Sequence, residues 1–120
     1  MKTTTDQQLF LIDDLIRKKE FDKAVNCLSK IDPSILAEDD AAFYYLLLSE
    51  VKIGLGDYHV EKALSKAIEY YRHSSNNDLF ARSKFLLGRY LIAKGMHFEA
   101  REALLESYPV SYTHLRAHET

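Results

Sequence analysis

The chain has 120 residues, 16 Lys+Arg against 18 Asp+Glu, a formal charge of −2 and one cysteine. That is one small domain or part of a larger protein. A slightly acidic balance argues against an electrostatic nucleic-acid footprint, and a lone Cys27 excludes an intrachain disulfide and fits a reducing, cytoplasmic compartment. The longest early apolar run, Leu9-Phe10-Leu11-Ile12, stops at Asp13-Asp14 and is too short for a secretion signal or a membrane span.

The periodicity predicts six helices and no strand. Thr5 followed by Gln8 reads as a capping box opening a first helix to about Lys18, with Leu9, Ile12, Leu15 and Ile16 on one stripe. A second helix starts near Phe21, with Ala24, Val25, Leu28 and Ile31 at helical spacing, and Asp32-Pro33-Ser34 ends it. Asp39 or Asp40 is the expected cap of a third helix. That helix is apolar on two rows, Tyr44, Leu47, Leu48, Val51 and Leu55 on one and Phe43, Leu46 and Ile53 on the other, so it should lie between neighbours. Gly54 and Gly56 release it. A fourth helix carries Val60, Ala63, Leu64, Ala67, Ile68 and Tyr71. After the loop Ser74-Ser75-Asn76-Asn77, a cap at Asn77 or Asp78 opens a fifth, with Phe80, Leu87 and Leu91 on one row and Leu79, Leu86 and Tyr90 on another. Gly95 closes it, and a sixth runs from about His97 to Tyr108. Short connections imply antiparallel neighbours.

Residues Val110-Ser111-Tyr112-Thr113-His114-Leu115-Arg116-Ala117-His118-Glu119-Thr120 break the pattern. They read as one frame of a transposase sequencing adapter, so the expected domain is 1–108 and 109–120 a non-native tail. Without the tail, Arg116 and Glu119 leave together and the charge stays at −2.

A motif recurs. Lys19-Glu20-Phe21-Asp22-Lys23-Ala24, Gly56-Asp57-Tyr58 with Lys62-Ala63-Leu64, and Gly95-Met96-His97-Phe98-Glu99-Ala100 each give a turn, an aromatic and a small residue opening a helix. Ala24, Ala63 and Ala100 lie 39 and 37 positions apart, a period of helical-hairpin arrays. Leu87-Gly88, Gly95, Ala100 and Leu104 stand at the spacing of a tetratricopeptide repeat, and Phe21, Ala24 and Leu28 match a first repeat. Over residues 7–108 the chain resembles the longer-period tetratricopeptide regions of bacterial signalling proteins. The middle hairpin departs, with two extra residues between Tyr58 and Ala63 and Leu48 in place of the glycine; the third has His97 at the aromatic position and Phe98 one place later.

The resemblance implies a right-handed α-solenoid of about three antiparallel hairpins, packed through Ala24, Leu28, Ala63, Ala67, Leu87, Gly88, Gly95, Ala100 and Leu104. It implies a non-enzymatic module binding a protein or peptide segment. In regulators of that kind the array often precedes a DNA-binding output domain, which makes the N-terminal part of a transcriptional regulator the alternative. The first helix of each hairpin would line a peptide groove, with Tyr45, Ser49 and Lys52 from the second and Arg82, Phe85, Arg89 and Ile92 from the third. Two aromatics beside three cations suit a segment with acidic groups.

Other chemistry finds little support. His59, His73 and His97 lack metal-ligand spacing, Cys27 reads as a small core hydrophobe, and neither a nucleophile elbow nor a glycine-rich phosphate loop occurs. Asp13-Asp14 and Glu38-Asp39-Asp40 read as solvated charge and dipole complements. The expectation is therefore no catalytic residue, metal, cofactor, membrane segment or direct nucleic-acid contact. Ala103, Leu104 and Tyr108 on the sixth helix are expected to form an exposed apolar end that favours self-association.

Overall fold

The computed structural model describes residues 2–107, with side chains from Gln7 onward. The proposed tail at 109–120, and Tyr108, lie outside the described residues. Six α-helices occur: α1 (Lys2–Arg17), α2 (Phe21–Leu28), α3 (Glu38–Gly54), α4 (Glu61–Arg72), α5 (Asn77–Ala93) and α6 (His97–Glu106). A 3-10 turn, Pro33–Ile35, joins α2 to α3, and the described residues contain no strand.

The ends differ from expectation in instructive ways. α1 begins at Lys2, so Thr5 lies inside it rather than capping it. α2 stops at Leu28, and Ile31 follows in the turn. Asp32 opens the 3-10 turn instead of ending the helix: its carboxylate accepts hydrogen bonds from the Ser34 backbone (3.0 Å) and hydroxyl (2.7 Å), a local bond that competes with helix. The α3 cap is Ala37, which leaves Glu38, Asp39 and Asp40 in the first turn, where negative charge complements the helix dipole. The α5 cap is Asn76, one residue earlier than expected, its side chain accepting from the Leu79 N–H at 3.0 Å.

Three turns repeat one geometry. After α1, α3 and α5 the chain takes a positive φ at Lys19 (62°), Gly56 (83°) and Gly95 (78°). In each, that residue's N–H donates three residues back (to Ile16, Ile53, Ile92), and the next N–H donates five back (to Leu15, Lys52, Leu91). This is the Schellman closure of a helix. The turns sit 37 and 39 residues apart, so the repeat seen in the text is also a repeat of backbone shape.

Each closure sends the next helix back along the last. α1 packs on α2, α3 on α4 and α5 on α6; α3 also meets α1, α2 and α5, and α4 meets α5. Along α5, Lys84 pairs with Glu106 while Gly88 faces Leu104 and Ala100, so α5 and α6 run antiparallel. A Cβ on Gly88 would lie 2.5 Å from Leu104 Cδ2, which is why glycine stands there.

The apolar residues form two cores with α3 as their common wall. Leu9, Ile12, Ile16, Ala24 and Leu28 pack against Tyr44, Leu47 and Val51. Val60, Leu64, Ala67 and Leu86 share the second core with Ala42, Leu46 and Ile53, and Ala100 and Ala103 of α6 extend it beyond α5. Ala63, Leu87 and Leu104 are half-buried at the hairpin crossings. Of the apolar end expected on α6, Ala103 is buried and Leu104 half-buried, while Phe98 at the start of α6 stands exposed beside Met96 and the α5 residues Phe85 and Ile92.

Lys19 bears the one non-glycine side chain in a left-handed turn among the described residues. Lys19→Gly should therefore raise stability by about 0.5–1 kcal/mol, read as a higher urea midpoint at unchanged m-value.

Candidate functional site

Arg82 organises the face shared by α1, α3 and α5. Its guanidinium donates to both Asp13 oxygens (2.7 and 3.4 Å) and, through Nε (2.9 Å) and Nη2 (2.6 Å), to one Glu50 oxygen. The arginine side chain is 23% exposed, Asp13 10% and Glu50 23%. Burial opposes its charge, yet the hydrogen bond it donates to Asp13 and the attraction of Glu50 prevail and hold its pKa above the ordinary value. Arg17, one turn beyond Asp13, adds a looser contact at 3.6 Å. Asp13 is therefore no solvated charge, which corrects the reading of the Asp13-Asp14 run. Asp13 and Glu50 carry no local sign of this role, because their partner lies 69 and 32 residues away in the chain.

This ion trio borders a groove of about 570 Å³ at the junction of α1, α3, α4 and α5. Phe10 and Phe43 form one wall, their ring centroids 6.0 Å apart, and Tyr70 and Tyr71 form another. Asp39, Asp40 and Asp78 line the same groove, placed there because each sits in the first turn of α3 or α5. Phe10 is 67% exposed, an unusual position for a phenylalanine next to a second ring.

The seven residues expected to share one groove are divided among three places and the interior. Arg82 belongs to the trio. Tyr45 and Lys52 line a separate cleft of about 360 Å³ between α3 and α4. Ser49 is fully buried, its hydroxyl donating to the Tyr45 carbonyl at 2.8 Å, so it presents nothing to a ligand. Phe85, Arg89 and Ile92 stand exposed along α5 and line neither cavity. The expected register holds the correct helices but rotates the exposed face, because α3 buries residues all round.

The remaining candidates are placed as follows. His59 bonds Asp57 at 2.9 Å and His73 bonds Glu69 at 3.1 Å, while His97 is exposed. Cys27 is half-buried rather than buried, in an apolar cleft with Leu11, Ile12, Leu15 and Ile31. Among the described residues no group of three or more His, Cys, Asp or Glu is arranged for a metal ion, and no helix is long and apolar enough to cross a membrane.

Two tests follow from this geometry. Arg82→Ala strands two carboxylates, one of them buried, and should cost about 2–4 kcal/mol of stability; Asp13→Asn and Glu50→Gln added to Arg82→Met should recover most of it in urea unfolding. The second concerns Tyr71, whose phenol is pushed well above its ordinary value, first by burial and then by Tyr70. A raised phenol contributes stability that is full below the unfolded-state value of about 10 and is lost as pH climbs through the folded one. Urea midpoints should therefore fall above about pH 10, and fall less steeply in Tyr71→Phe.

Comparison with protein-family models, with curated proteins and with solved structures gives no match to this chain.

Proposed function

We propose that this chain is a non-enzymatic, tetratricopeptide-like module of three hairpins that binds an extended polypeptide segment of a partner protein. The observation that carries the reading is the aromatic-walled groove of about 570 Å³ beside the Arg82 trio. Its dimensions suit a few residues of extended chain. Phe10, Phe43 and Tyr70 offer apolar area with few rotamers to freeze, and the carboxylates of Asp39 and Asp78 can accept backbone N–H groups from a segment lying between the walls.

The repeat reading is supported by the three matching Schellman closures and by the Gly88–Leu104 approach, which sets the hairpin crossing where a small residue is required. A right-handed superhelix of such hairpins would place α1, α3 and α5 side by side, and the trio joins those three helices. The ion pairs then hold the groove's floor rigid, so that binding does not have to order it.

A displayed peptide library selected on the protein supplies the probe. The selected peptides should lose about tenfold or more in affinity on Phe10→Ser, with the thermal midpoint moved by less than about 2 °C, because Phe10 is mostly exposed. Peptides that bind equally well to Phe10→Ser and to Tyr70→Ala would remove the groove from the account.

A further inference from the structure

The cleft between α3 and α4 has a different character. Lys52 of α3 and Lys62 and Lys66 of α4 line it together with Tyr45. The Lys66 ammonium stands 4.7 Å from the Tyr45 ring centroid and 3.5 Å from its hydroxyl oxygen. Lys18 and Lys23 on the surface and the buried Lys84 each have a carboxylate partner. Among the described residues these three lysines form no ion pair.

The acids closest to them are engaged in other contacts. Asp57 is held by the His59 backbone (3.0 Å) and ring (2.9 Å) and touches Lys52 only through longer-range attraction. Glu61 lines both this cleft and a separate one beside Tyr90. Lys62 and Lys66 lie one helical turn apart, an arrangement in which like charges destabilise the helix. On a chain of net charge −2, three cations gathered in one concavity without an ion pair form a local positive field.

We propose that this α3–α4 cleft docks an acidic polypeptide segment, its carboxylates meeting Lys52, Lys62 and Lys66 above the Tyr45 ring. Lysines act as point charges without the fork geometry that selects planar groups, so they suit carboxylates spaced along a flexible chain. The cleft's volume of about 360 Å³ admits two or three residues of such a chain. The net charge of −2 over the whole chain disfavours a long polyanion such as nucleic acid. The inference rests on the polypeptide-binding reading and adds a second site with a defined charge preference.

The probe is a fluorescein-labelled decapeptide alternating Glu and Gly, compared with its Gln counterpart and with a labelled single-stranded oligonucleotide, in anisotropy titrations at low salt. The Glu peptide should bind saturably, weaken as salt rises, and weaken about tenfold or more in Lys62→Glu/Lys66→Glu. Lys30→Glu/Arg101→Glu makes the same change in net charge at exposed sites outside the cleft and should alter affinity by less than about twofold. Equal weakening by both pairs, equal binding of the Glu and Gln peptides, or tighter binding of the oligonucleotide through these lysines would each overturn the proposal. If Phe10→Ser abolishes peptide binding while Lys62→Glu/Lys66→Glu leaves it intact, the groove stands and the cleft assignment falls.

Discussion

α3 must bury two opposite faces at once, and the rest of the molecule is arranged around that requirement. Tyr44, Leu47 and Val51 look toward α1 and α2, while Ala42, Leu46 and Ile53 look toward α4 and α5. A helix exposed to water on one side can be amphipathic; one that is a shared wall cannot. With both faces committed, the few α3 side chains left at the surface, Phe43, Tyr45, Glu50 and Lys52 among them, are confined to the seams between helices. Both concavities open along those seams.

The two concavities differ because the ends of the helices differ. The larger groove lies where α3 and α5 begin, and helix beginnings collect carboxylates: Asp39, Asp40 and Asp78 are there for the dipole whatever else they do. The smaller cleft lies where α3 ends and α4 begins: Lys52, in the last turn of α3, complements that helix's dipole, whereas Lys62, in the first turn of α4, does not. The same molecule thus shows an acidic, aromatic hollow and a basic one, without any large imbalance in its overall charge.

Much of this was legible from local text. The six helices, the two rows on α3 and the recurring turn all rest on spacings within about one helical repeat, and such spacings report directly on which side of a helix meets its neighbour. The groove was less legible. Ser49 looked like a surface hydroxyl because a serine between apolar residues can face either way, and only the packing of α3 decides. Asp13, Glu50 and Arg82 form one unit across two long chain separations, and Lys84 is buried although lysines seldom are; single-residue chemistry carries no sign of either. Lys19 shows the reverse case, where the backbone kept its turn although the glycine found in the other two turns is absent.

The trio also bears on how the domain comes apart. Helices that touch only their neighbours in sequence make an array that can unravel from either end, one hairpin at a time. α1 and α5 do not pack directly, yet the Arg82 side chain reaches past α3 to Asp13 and closes that gap. Opening the first hairpin therefore strands a charge on the third. The ion bridge converts a chain of nearest-neighbour contacts into a loop of three mutually dependent helices, and amide exchange in α1 and α5 should be governed by one shared opening event rather than by separate fraying of the two ends.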